Sequence, residues 1–171
     1  MKKLWYVSVV LIPLLVLVLF TGCPTTSGGG SGTGSFTYDG NTYSLTGAGM
    51  EDFGSGIFEL DIVSSGINVV EWTGAGYVVF FELFSPSTAG ASGTYDWAAT
   101  GGYQLIDAGI SLDYNADAAT GTWLYVDWFL ADPGDYITIS VSDDTYTFEF
   151  SLTMTDGKTV TGSYTGTVTI W

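Results

Sequence analysis

Carboxylates are the only abundant side chains in this chain able to move protons or hold cations. Eighteen Asp and Glu stand against three lysines, with no arginine and no histidine. Without an imidazole, Ser-His-Asp and Cys-His catalysis are excluded, as are most zinc sites. The one enzyme class the composition permits is a glycosidase-like pair, two carboxyl groups about 5 to 9.5 Å apart with separated pKa values. Asp127, within Thr122 to Leu130, and Glu82, within Gly76 to Ser85, are its candidates because each interrupts an otherwise apolar run. On an alternating strand each would equally face solvent, so the expectation is a protein that is not an enzyme.

Two further groups could hold a ligand. Asp113, Asn115 and Asp117 place an oxygen at every second residue, as the opening of a calcium loop does, but Ala118 and Leu124 stand where an EF-hand needs glycine and a bidentate glutamate. An Asx-type turn before Gly121 explains the same residues without metal. No other cofactor is implied. The second group is aromatic. Trp123, Tyr125 and Phe129 share one face of a strand, and Leu124, Val126, Trp128 and Leu130 share the other. That is more ring area than one core-facing side absorbs. Trp123, Tyr125, Trp128 and Phe129 are therefore the candidate contacts for a small apolar molecule, a glycan or a protein partner. The glycines from Gly28 to Gly34 have no strand before them and no Gly-Lys-Ser/Thr after them, so they form a linker and not a phosphate loop.

The elements that must position these side chains are strands. From Thr145 to Met154 the even positions are apolar and the odd ones polar, the two-residue period of a half-buried strand. Tyr136 to Ser142 alternates in the same way, with Asp143-Asp144 as the turn between the two. Asp156-Gly157 turns the chain into Thr159 to Tyr164, Asp39-Gly40-Asn41 joins Phe36–Tyr38 to Thr42–Leu45, and Phe58, Leu60 and Ile62 mark one more strand. Gly76 to Ser85 and Thr122 to Leu130 are apolar on both faces, which predicts covered central strands or aromatics presented outward. At most a short helical turn fits around Ala48 to Gly54. Eight to ten strands at meander spacing predict an all-β domain over residues 36–171, an antiparallel up-and-down barrel, with a two-sheet sandwich as the alternative. Phe58, Trp128, Phe148 and Phe150 are bulky enough to fill such a barrel.

Ahead of this domain, a 17-residue apolar run from Leu4 to Phe20 follows Lys2 and Lys3 and ends in Thr21-Gly22-Cys23. The segment resembles the signal peptide and lipobox of bacterial lipoproteins. The resemblance implies removal of residues 1–22, acylation of Cys23, and attachment of the exported protein to a bilayer. Pro24, in place of the aspartate that marks inner-membrane retention in enteric bacteria, implies the outer membrane. A retained transmembrane helix is the competing reading, although 17 residues span only about 25 Å of a roughly 30 Å hydrocarbon core. Residues 23–35 are Gly, Ser and Thr after Cys23 and Pro24, the composition of a flexible tether. Without the leader the chain keeps eighteen acids and Lys158 alone, a net charge of about −17. Such a surface repels nucleic acid and anionic head groups alike, so acyl chains have to supply membrane attachment.

The segments FTYDGNTYSL (Phe36 to Leu45), FFELFSPS (Phe80 to Ser87), SGTYDW (Ser92 to Trp97) and DGKTVTGSYTG (Asp156 to Gly166) resemble those of small bacterial lipoproteins with a calycin-like, or lipocalin-like, β domain. The resemblance implies the fold and the anchor and brings no catalytic residue. The expected function is a membrane-anchored, non-enzymatic binding or interaction domain. A structural lipoprotein with a filled core and a carboxylate glycan hydrolase are the alternatives.

Overall fold

The computed structural model describes residues 30–97, 102–126 and 134–171. Cys23, Asp127, Trp128, Phe129, the leader and most of the tether lie outside the described residues. Thirteen strands follow in chain order: β1 (Gly32–Tyr38), β2 (Asn41–Leu45), β3 (Gly47–Gly54), β4 (Ile57–Val63), β5 (Ile67–Asn68), β6 (Thr73–Phe84) and β7 (Gly93–Asp96), then β8 (Gln104–Asn115), β9 (Trp123–Tyr125), β10 (Tyr136–Ser142), β11 (Thr145–Thr153), β12 (Thr159–Gly166) and β13 (Thr169–Ile170). They form one sheet in the order β13-β3-β4-β6-β8-β7-β10-β11-β12-β1-β2, with β5 added to β6 and β9 to β8. The pairings are antiparallel except β13 on β3 and β7 on β8. The chain is therefore all-β and barrel-like. No helix among the described residues is long and apolar enough to cross a membrane.

Thr46 explains why the sheet curls. β2 lies at one end of the strand order and β3 next to the other end, yet only this residue separates them in the chain. Its carbonyl accepts the Gly32 N–H at 3.0 Å, and its own N–H donates to the Val63 carbonyl at 2.8 Å. One bent run thus pairs with β1 before Thr46 and with β4 after it, which brings the two ends of the sheet together.

The interior follows from strand alternation. Phe58, Leu60 and Ile62 of β4 point inward with Val79, Phe81 and Leu83 of β6, and with Phe148, Phe150 and Leu152 of β11; all are buried. Phe81 and Phe150 meet edge to face at 5.2 Å, and Phe58 meets Tyr95 of β7 at 5.7 Å, so rings from strands distant in the order touch across the interior. Gly162 lies opposite both Phe36 and Phe150, and a Cβ there would strike both side chains. Phe58, Phe148 and Phe150 all lie in this buried cluster.

Four expectations are corrected. Residues 48–54 are not a helical turn; they belong to β3, because cross-strand bonds to β4 satisfy a backbone whose glycines obscure the strand pattern. The strands number more than eight to ten because the 41–54 run is broken at Thr46 and four short pairings are added. One hydrogen-bonded path replaces the two sheets of a sandwich. Finally, β1 begins at Gly32, inside the stretch whose composition reads as tether, because Gly32 and Gly34 let their backbone lie against that of β12.

The outer surface has two unlike halves. On β1, β2, β10, β11 and β12 it is a field of Ser and Thr, with facing hydroxyls at Thr147 and Thr165 and at Thr37 and Thr42. On β3, β4, β6 and β8 it is carboxylates and rings.

Candidate functional site: an outer groove of rings and carboxylates

The apolar character of β6 on both faces has a direct structural counterpart. Val78 and Phe80 point away from the core and meet a second apolar cluster, made of Val63, Ile67, Val69, Tyr114 and Ala116 with Trp72 and Trp123 packed on it. The connection from β4 to β6 folds back over this outer face. The Ser64 hydroxyl accepts the Tyr77 N–H at 2.9 Å, and Asn68 Oδ1 accepts the N–H groups of Val70 and Glu71 at 2.9 and 3.2 Å. At the end of the connection Trp72 has φ +51°, a left-handed backbone unusual for so bulky a residue.

Between this connection and β9 lies a groove of about 510 Å³. One wall is aromatic. Trp72, Tyr114, Trp123 and Tyr125 follow one another with centroid spacings of 6.1, 5.4 and 6.2 Å. Phe80 lies edge-on to Trp123 and Tyr125 at 5.3 and 5.8 Å. The remaining lining carries Glu51, Glu59 and Asp61, together with Trp171. Strand register explains this lining. Asp61 is opposite Gly49 on one side and Phe80 on the other. Because Gly49 has no side chain, the Trp171 indole lies over it; a Cβ there would enter the ring.

The neighbouring row is wholly acidic: Glu51 opposes Glu59, Glu59 opposes Glu82, and Glu82 opposes Asp107. Like charges directly opposite across strands repel. Asp61, only 5% exposed, is pushed well above the usual carboxylate range by burial first, then by the charge of Glu59, a hydrogen bond to it, and the charge of Glu51. Burial also raises Glu59, which the Asp61 hydrogen bond opposes and Glu51 and Glu82 reinforce. Burial raises Asp107 as well, against the N–H of Ala108. No cation relieves them: Lys158, the one basic residue among the described residues, bonds Asp39 at 2.9 Å and Asp156 at 3.6 Å beside the hairpin turns.

The residues singled out by sequence separate accordingly. Trp123 and Tyr125 line the groove together. Trp128 and Phe129 lie outside the described residues, as does Asp127, so the pairing of Asp127 with Glu82 has no described geometry. Glu82 instead stands in the acidic row. The calcium candidates serve their own loop. Asp113 accepts the Thr122 N–H at 2.7 Å and the Thr122 hydroxyl at 2.9 Å, which lowers its pKa, and Asn115 Oδ1 accepts the Ala118 N–H at 3.2 Å. Asp117 is exposed. Among the described residues no three acidic or thiol side chains are grouped to hold a metal. Sequence reasoning passed over Glu51, Glu59, Asp61, Trp72, Tyr114 and Trp171. Glu59 and Asp61 alternate with Phe58, Leu60 and Ile62 as an ordinary solvent face does, and only the pairing of β4 with β6 sets them beside the rings. No protein-family model matches the chain, and no curated protein or solved structure shows significant similarity to it.

Proposed function

We propose that the protein is a lipid-anchored binding domain, held at the outer membrane of a bacterium through acylated Cys23, whose sheet closes as a lipocalin-like up-and-down barrel around a filled core. The ligand sits outside the barrel, in the groove lined by the rings of Trp72, Trp123 and Tyr125 and the carboxyl groups of Glu59 and Asp61. The observation that supports this reading is the contrast between an interior crossed by the Phe81–Phe150 and Phe58–Tyr95 contacts and an outer groove of about 510 Å³. That volume falls in the roughly 300–1,000 Å³ range of small-molecule sites. The groove also exposes apolar surface: Val70, Tyr125 and Trp171 are 48%, 42% and 48% exposed. The purely structural alternative leaves these rings without a task.

Binding is favoured over glycan hydrolysis by the carboxyl geometry. Glu59 and Asp61 stand two residues apart on one strand, side by side on the outer face of β4 and not across a cleft from each other as a pair flanking a glycosidic bond must be. Burial, more than any other cause, raises the pKa of both. Native mass spectrometry of gently extracted protein, beside acrylamide quenching of tryptophan fluorescence, tests the reading. A retained small molecule that shields tryptophan in the parent and not in Trp123→Ala is the expected result. An empty spectrum, with quenching unaltered by any offered ligand, would leave the structural alternative.

A further inference from the structure

We propose that the ligand of the outer groove is an organic ammonium ion, its nitrogen on the Glu51–Glu59–Asp61 wall and its carbon framework against Trp72, Trp123 and Tyr125. This inference rests on the groove being the binding site. Three features of the groove ask for positive charge independently. Its lining holds Glu51, Glu59 and the buried Asp61, and from Glu59 the acidic row continues on adjacent strands to Glu82 and Asp107. A cation placed there removes repulsion that the fold otherwise retains. The rest of the lining is built of indole and phenol rings, whose electron-rich faces attract a cation, most strongly where water is displaced. The third is long-range: a chain with eighteen acids and one lysine beyond its leader draws cations toward every cleft.

Other ligand classes fit less well. An anion meets no basic side chain: Lys158 is engaged at the hairpin turns, and neither arginine nor histidine exists. A bare divalent metal finds rings where it needs oxygen, and no metal-holding group of acids among the described residues. A neutral sugar could stack on Trp123 but would leave the acidic wall uncompensated. An ammonium group has N–H donors for the carboxyl oxygens, and its framework uses the rings.

The test is a matched pair, 2-phenylethylamine against 2-phenylethanol, titrated calorimetrically into the mature protein at low salt. The two share ring and chain and differ in one charged group. Tighter binding of the amine by at least tenfold is expected, with a loss of similar size in Glu59→Gln, in Asp61→Asn and in Trp123→Ala, and weakening as salt is raised. Circular dichroism and melting of each variant separate lost recognition from lost folding, and Asp61→Asn is close to isosteric. Equal affinity for the alcohol would overturn the inference. So would calcium chloride binding in place of the amine, or a neutral ligand that Trp123→Ala alone abolishes; the last leaves the groove as a binding site and removes only its charge preference. If neither probe nor any retained molecule perturbs Trp123, the groove reading fails together with the inference.

Discussion

Phe80 and Phe81 are adjacent in the chain and serve opposite sides of the sheet. Phe81 is fully buried against Phe150, whereas Phe80 faces the groove against Trp123 and Tyr125. Phe81→Ala should therefore destabilise the fold by about 3 to 5 kcal/mol, from lost transfer energy plus the cavity left behind. Phe80→Ala should cost distinctly less stability and instead loosen the ring wall. Urea denaturation of both variants checks the pair: equal losses would mean that the alternation along β6 does not separate core from groove. At this scale the sequence was legible where one strand holds the whole signal, as with Trp123 and Tyr125. It was not legible for Glu59 and Asp61, which look like the ordinary solvent face of β4 until Glu51, Glu82 and Asp107 arrive opposite and beside them from other strands. Glu82 was singled out, but its neighbours are set by register and not by its own surroundings in the chain.

Among the elements, β10, β11 and β12 were readable because each alternates without interruption and each is joined to the next by an Asp-containing turn. β8 was not, since its register on β6 slips between Gly76 and Val78 and again between Glu82 and Leu83, so that inward and outward positions change phase within one strand. β3 was masked by its glycines. The bend between β2 and β3 makes the sharpest prediction at this level. Thr46→Pro removes the N–H that bonds the Val63 carbonyl at the junction of the two sheet ends, and should cost about 1 to 3 kcal/mol. Thr46→Ala keeps both backbone bonds of an exposed residue and should stay within about 0.5 kcal/mol of the parent. Chemical denaturation, together with amide exchange at Gly32, measures both. A harmless proline would show that the sheet ends are held elsewhere.

For the whole molecule, the acidic row sets an unusual response to pH. Asp61, Glu59 and Asp107 all have folded pKa values raised above their unfolded ones, chiefly by burial. Between the unfolded value near 4 and the raised folded value the native state binds more protons, so stability falls as pH rises through that window. Asp113 and Asp156, lowered by hydrogen bonds from Thr122 and Tyr38, act in the opposite sense, and only as pH falls below the unfolded value near 4 and through their lowered folded values. The melting temperature should thus be higher at pH 5 than at pH 8, and Asp61→Asn should raise the pH 8 value and flatten the slope. A parent protein that melts lower at pH 5 than at pH 8 would contradict the raised pKa values of Asp61, Glu59 and Asp107. Sequence alone determined that this chain is built of strands with a bulky core, because alternation and turn residues are local and survive without knowledge of partners. It also ruled out imidazole chemistry, since composition needs no fold. Only the tertiary structure decided which rings meet across the core and that the groove of Trp72, Trp123 and Tyr125 lies outside it. Cross-strand register, Thr46 and the folded-back connection before Trp72 bring together residues more than a hundred positions apart, and no local pattern encodes which side chains become neighbours.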